Sequence, residues 1–299
     1  MKTFINLIGA KSRLAKWIVS HFPPQDTYSL FVDVFGGSAA LLLYEERPNV
    51  REVFNDLDHG LVTMFEVART QPEAFKAQLD QVLYSRMLYR AWRRDWLDHG
   101  ESLAHLPELE QAVRYFALRR WAFSGWLHAK NGGFQVPSRA DQSWHPQAFR
   151  NAVDRIPEIA KRLANVVIEN LPYEKVIERS DGPDVLLVID PPYSPRRLKH
   201  VESKHSKDAN EYYCRQWTEA DDDALSLQVQ TLKSRVIICG YAGDHFTQLF
   251  PPPLWRYAYK TVNVTSTNIH HHRDRAATEV LAMNYEESDG HPRRLGGLE

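Results

Sequence analysis

Short unbroken apolar runs alternate along this chain with longer stretches of helical periodicity, and that alternation predicts an α/β fold: buried parallel strands covered by helices. The runs at 30–34, 50–54, 166–168, 185–189 and 235–239 predict five such strands. Two more, at 262–265 and 278–283, predict a closing antiparallel pair. Between them, Leu14, Trp17 and Ile18 share a helical face behind Ser12 as a candidate cap, and 39–44 and 146–164 also read as helices. Thr218 with Asp221 three residues on predicts a capped helix continuing through Leu225, Leu227, Val229 and Leu232.

One strand organises the rest. Val185 to Ile189 is apolar throughout and ends abruptly in Asp190-Pro191-Pro192-Tyr193. A buried parallel strand delivers Asp190 to the carboxyl edge of the sheet, where α/β proteins keep their chemistry. Two prolines fix two φ angles and remove two donors, so the arm is stiff. It offers a carboxylate, a carbonyl at Pro191 and an aromatic face at Tyr193, a set that suits a flat ring bearing an exocyclic amine. A proline-stiffened turn would use the same residues.

The strand at 30–34 contains Asp33 and runs into Phe35-Gly36-Gly37-Ser38, with a helix behind it. Glycines there let a ligand approach the backbone closely, and the following helix start presents free N–H groups. Asp56 ends the next strand twenty residues after Gly36, near the place where nucleotide-binding units keep an acid for ribose hydroxyls. Asp56 and Asp58 would serve equally to cap the helix near Leu61. Lys11, in the loop opening the first helix, adds a cation suited to a carboxylate.

Residues 60–141 change character, with arginines (Arg86, Arg90, Arg93, Arg94, Arg114, Arg119, Arg120) interleaved with Trp92, Trp96, Trp121 and Trp126. Such a pattern fits phosphate neutralisation and base stacking, and fits helix packing equally. The polar, glycine-bearing stretch 124–137 reads as a loop or hairpin tip able to enter a groove, with Trp126, His128, Lys130, Asn131 and Gln135 as donors and Arg139 just beyond. Residues 196–210 read as a mobile polar segment beside the site. His270, His271 and His272 are adjacent on a loop, a poor tetrahedral set, so no metal is expected.

The chain has 299 residues, 43% of them hydrophobic, enough for one large core with a smaller inserted subdomain. A formal net charge of −1 argues against a protein held on nucleic acid by bulk charge. Cys214 and Cys239 show no ligand spacing, and no run approaches a membrane span, so a reduced cytoplasmic protein is expected.

Taken in order, these motifs resemble the Dam-type (D12 class) DNA adenine N6-methyltransferases over nearly the whole chain. Residues 8–18 are similar to the family's N-terminal cofactor motif, 33–40 to its glycine loop, 55–58 to its ribose acid and 190–193 to its catalytic tetrapeptide. Residues 123–137 are similar to its target-DNA loop and 279–285 to its closing strand. The resemblance implies a Rossmann-like S-adenosylmethionine-dependent methyltransferase sheet with a helical target-recognition insertion, the catalytic domain spanning 1–59 and 142–299 and the insertion 60–141. It implies Asp190, Pro191, Pro192 and Tyr193 as catalytic residues. Leu7, Lys11, Asp33, Phe35, Gly36, Gly37, Ser38, Asp56 and Asp190 are implied to surround S-adenosylmethionine. Leu7 stands where members commonly carry an aromatic residue. His128 stands where GATC-specific members carry a base-reading arginine, so the target sequence is open.

Arg93, Arg94, Arg120, Trp126, His128, Lys130, Asn131, Gln135 and Arg139 are the candidate DNA contacts, with double-stranded DNA as partner and a cognate restriction endonuclease as a possible one. No membrane or metal partner is expected, and a monomer and a weak dimer are both open. Alternatives are methylation of cytosine N4 or of an RNA adenine, and a catalytically inactive DNA-binding relative. A nucleotide-binding hydrolase or dehydrogenase is disfavoured because neither a Gly-Lys-Ser/Thr phosphate loop nor a full dinucleotide fingerprint is present.

Overall fold

The computed structural model describes residues 3–7, 9–122, 125, 127, 133–136, 145–195, 216–264 and 275–286. Residues 196–210, His270 to His272, Trp126, His128, Lys130, Asn131 and Arg139 lie outside them. The helices are α1 (Ala15–Val19), α2 (Ala40–Tyr44), α3 (His59–Thr70), α4 (Pro72–Gln81), α5 (Arg86–Asp98), α6 (Glu108–Trp121), α7 (His145–Val153), α8 (Ile156–Leu163), α9 (Tyr173–Ser180), α10 (Glu219–Val229) and α11 (Asp244–Leu249). The strands are β1 (Leu30–Asp33), β2 (Arg51–Asn55), β3 (Val166–Glu169), β4 (Val185–Ile189), β5 (Arg235–Tyr241), β6 (Arg256–Val264) and β7 (Arg275–Met283). All seven strands belong to one mixed sheet. Two compact units divide the chain: Met1–Trp17 with Gly36–Pro172, and Ile18–Phe35 with Tyr173–Glu299.

In the first unit β2 pairs in parallel with β3, and the helices expected as an insertion at 60–141 share a core with these strands. Aromatic packing explains why. Phe65 on α3 meets Phe4 and Phe54 at 5.6 and 4.8 Å, and Phe116 on α6 meets Phe4, Phe75 and Phe149 at 5.6 to 5.9 Å. Edge-to-face and tilted pairs of this kind add to the apolar area they bury. Trp96 and Trp121 are buried as well. For these two tryptophans the packing reading of the Arg–Trp interleaving holds. One buried carboxylate, Glu52 on β2, accepts from Arg47 at 3.0 Å and from Arg162 at 2.6 Å, so the paired charges satisfy one another.

In the second unit β1, β4 and β5 run parallel, in that order, and β7 then β6 close the edge antiparallel. Every residue of β4 is buried, as its unbroken apolar run requires. The closing hairpin starts six residues earlier than its apolar pattern suggested, at Arg256, because an edge strand alternates exposed and covered residues.

Three local expectations are corrected. Ser12 does not cap the first helix: a 3-10 turn, Lys11–Arg13, begins there with no side-chain cap, and Ser12 Oγ lies 3.3 Å from Thr3 Oγ1. The helix expected over 146–164 is broken into α7 and α8 at Asp154–Arg155, with Pro157 opening the second. Helix α10 stops at Val229, and Leu227 faces outward at 70% exposure. The cap of α10 is as expected: Thr218 and Asp221 form a reciprocal capping box. Among the described residues, no helix is long and apolar enough to cross a membrane.

Candidate active site

In the second unit, the register Asp33↔Val188 aligns the carboxyl ends of β1 and β4 on one edge. Asp190 follows β4 half-buried, and the two prolines turn the chain so that Tyr193, buried, donates its hydroxyl to Asp190 Oδ1 at 3.0 Å. Tyr193 also packs against Tyr241 at the end of β5, with ring centroids 5.1 Å apart and planes at 60°. Asp33 is buried at the end of β1. Phe35, two residues on, stacks on Tyr173 at 5.5 Å and meets the edge of Trp217 at 5.6 Å. Trp217 is held in turn by its indole N–H, which donates to buried Asp222 at 2.9 Å. The second unit therefore holds an aromatic wall around Phe35 and a carboxylate on a stiff arm.

The first unit contains the glycine turn and the second acid. Gly36 N–H donates to the Asn55 carbonyl at 2.7 Å, and a Cβ at Gly36 would stand 2.2 Å from the Phe54 ring, so only glycine closes this turn. Gly37 adopts φ +49° and donates its N–H to Asp56 Oδ2 at 2.9 Å, while Asp58 N–H reaches Asp56 Oδ1 at 2.9 Å. Asp56 is not the helix cap. Asp58 is, accepting from Leu61 N–H at 3.2 Å. Packing around Asp56 desolvates its carboxylate and pushes its pKa up to about 6, against the lowering by the backbone N–H of Asp58. Ser38 is buried, and among the described residues its Oγ has no hydrogen-bond partner. Lys11 is also buried, within its 3-10 turn.

Residues 7–235 match the family model described as the D12 class N6 adenine-specific DNA methyltransferase. The chain belongs to that family. It is an adenine-specific DNA methyltransferase acting on DNA, and its mixed α/β fold with a seven-stranded sheet is consistent with such an enzyme. No curated protein matches the chain.

The expected DNA contacts of this methyltransferase fall into distinct environments. Arg94 is exposed on α5. Arg93, half-buried, donates Nε–H to the Leu127 carbonyl at 3.1 Å. Arg120 is committed inward, to Asn6 Oδ1 and the Ala148 carbonyl, each at 2.7 Å, so its guanidinium braces the first unit instead of standing out as a surface cation. Gln135 donates its N–H to the Trp121 carbonyl, and Ala122 and Phe134 form an antiparallel bridge.

The histidines at 270–272 are outside the described residues, and the one described group with metal-donor proximity is elsewhere: Asp95, His99 and His105. There the carboxylate pairs with Arg114 at 2.8 Å and also lies 3.1 and 3.3 Å from the two imidazoles, a polar knot on the helical surface.

Trp217, Asp222, Tyr241 and Tyr115 carried no role in the sequence reading, and Arg119 stood there only among the arginines interleaved with tryptophans. For Trp217 a signal existed: it precedes the Thr218 cap, and Asp222 occupies the fourth helical position, the N′ to N4 spacing at which such residues meet.

Proposed function

We propose that this methyltransferase takes its methyl group from S-adenosylmethionine and transfers it to N6 of an adenine flipped out of duplex DNA. The observation that carries the reading is the half-buried Asp190 on its diproline arm, tied to Tyr193 at the carboxyl edge of β4. An N6 amine inside the stack is out of reach, so the base must leave it, at a cost of a few kcal/mol. Asp190 and the Pro191 carbonyl then accept hydrogen bonds from the two N6 hydrogens and orient the nitrogen lone pair, the one proton shed on methylation passes to solvent, and Tyr193 supplies the face against which the purine rests. Asp190 works as an acceptor that fixes geometry. When bound, S-adenosylmethionine supplies an electrophilic methyl group on a positively charged sulfur.

The residues present fit that cofactor. Ser38 Oγ is buried without a partner among the described residues, which suits a ligand hydrogen bond. Asp56, poised on the N–H groups of Gly37 and Asp58, suits a pair of ribose hydroxyls. Lys11 is assigned to the carboxylate of the cofactor, and Leu7, Asp33, Phe35, Gly36, Gly37 and Asp190 complete its surroundings. Arg93, Arg94, Gln135 and the loop residues Trp126, His128, Lys130, Asn131 and Arg139 remain assigned to DNA. A restriction-modification or phage-type role fits a site-specific methylase with this organisation.

The test is transfer of labelled methyl groups from S-adenosylmethionine to unmethylated DNA, followed by nucleoside analysis. N6-methyladenine confined to one short sequence context is expected. Label in N4-methylcytosine, or in RNA alone, would overturn the reading.

A further inference from the structure

In the first unit, one buried side chain spans the turn after β2 and the loop after α6. Arg119, near the end of α6 and 6% exposed, donates from Nη2 to Asp58 Oδ2 at 3.0 Å and from Nη1 to the carbonyl of Gly125 at 3.2 Å. Asp58 is the residue whose backbone N–H holds Asp56, and Asp56 in turn holds the N–H of Gly37. Gly125 belongs to the stretch assigned to target DNA. Its φ is +74°, and a Cβ there would lie 2.3 Å from the Asn6 carbonyl, so its backbone is pressed directly against the N-terminal segment. Arg120, the next residue, clamps that same Asn6. The result is a continuous run of contacts: Gly125, Arg119, Asp58, Asp56, Gly37.

A planar guanidinium can serve both ends of such a run because its donors point in fixed, divergent directions. Tyr115 lies beneath it, its ring 5.0 Å from the guanidinium carbon, and donates its hydroxyl to Asp58 Oδ2 at 2.6 Å. Asp58 thus receives a hydroxyl, a guanidinium and a backbone N–H, and it moves little without moving Asp56.

We propose that Arg119 is a positioning residue that couples the target-DNA loop to the cofactor carboxylate, so that DNA engaging the loop raises affinity for the cofactor, and the cofactor raises affinity for DNA. Both effects have the same magnitude by linkage. The inference rests on the assignment of Asp56 to the cofactor, and the two are separately testable.

The experiment is calorimetric titration of the full chain with S-adenosylhomocysteine, which donates no methyl, with and without a pool of unmethylated random-sequence duplex DNA. In the wild-type protein DNA should tighten binding by about 10-fold. Arg119→Lys keeps the charge toward Asp58 but cannot fork to Gly125, so the ratio should fall to about one while thermal unfolding stays cooperative. Tyr115→Phe removes a different bond to the same Asp58 but leaves the bridge to Gly125, so it should keep the wild-type ratio; were Arg119 merely holding Asp58 in place, both variants would lower the ratio alike.

If Arg119→Lys fails to fold, Asp58→Asn, which keeps the cap to Leu61 and removes the ion pair, carries the same expectation. An unchanged ratio in the folded variant, or a wild-type ratio of one, overturns the coupling. The assignment of Asp56 fails on a different result, an Asp56→Asn protein that binds S-adenosylhomocysteine as tightly as the wild type.

Discussion

Two carboxylates close two strands of this methyltransferase, and they are held by different means. Asp56, after β2, has each oxygen on a backbone N–H, from Gly37 and from Asp58. Asp190, after β4, accepts from a side chain, the hydroxyl of Tyr193 three residues on. Backbone donors fix Asp56 as part of a turn whose glycine is sterically compulsory. Asp190 takes its contact from the buried phenol of Tyr193, carried on prolines that hold the chain but donate nothing. The contrast suits the roles proposed: an acceptor built into a backbone turn for the cofactor, and one paired with an aromatic face for a base that arrives and leaves.

The contrast can be broken most sharply at Asp190. Asp190→Ala should lower methyl transfer by about 10³-fold, the scale of losing a preorganised polar contact at a reacting group, while S-adenosylhomocysteine binding measured by calorimetry stays within a few-fold of wild type. Asp56→Asn should do the converse, weakening cofactor binding by about 10-fold with a smaller effect on the transfer rate of the saturated enzyme, since bonds to a charged acceptor contribute about 1.5–3 kcal/mol.

Acidity sharpens the same difference. The Asp56 carboxyl titrates near 6, above the ordinary value of 3.8, so it is half protonated there and loses acceptor capacity below. Cofactor affinity in the wild type should therefore fall as pH drops below about 6, and Asp56→Asn should flatten that profile. For folding the sign is opposite: a raised acid pKa means the native state binds the proton more tightly. The contribution of Asp56 to stability is then most favourable at low pH and is lost as pH rises through about 6, which pH-dependent denaturation of wild type against Asp56→Asn would register.

Gly36→Ala tests the compulsory turn, since the added Cβ meets the Phe54 ring; a loss of about 1–3 kcal/mol in denaturant unfolding is expected. The smallest effect belongs to Tyr193→Phe. It keeps the ring against Tyr241 and removes one hydrogen bond to Asp190, so turnover should fall by less than about 10-fold, with cofactor affinity unchanged.

Much of this architecture was legible because its signals are local. An unbroken apolar run can only be buried on both faces, so β4 and its acid-ended exit were readable from residue type alone, and so were the Thr218–Asp221 capping box and the Gly36-Gly37 turn. Asp56 and Asp58 were both visible, but the division of labour between them was not, since either carboxylate reaches a helix start and only the path of the backbone selects Asp58 as the cap. Residue type likewise could not say which arginines face inward. Arg94 and Arg120 are the same side chain in the same kind of helix, yet one is exposed and the other is spent on Asn6 and Ala148, because what lies opposite a helical face is contributed by residues far away in sequence.

The sequence by itself determined the parallel strands, the order of the motifs and the residue types at the ends of β1, β2 and β4, since these follow from periodicity, backbone restriction and side-chain type. Tertiary structure alone decided that Arg119 bridges Asp58 to Gly125, that Trp217 meets the ring of Phe35, and that Tyr241 backs Tyr193. Most of these contacts join residues distant along the chain. Their partners are chosen by how packed elements come to face one another, a property that no window of sequence contains.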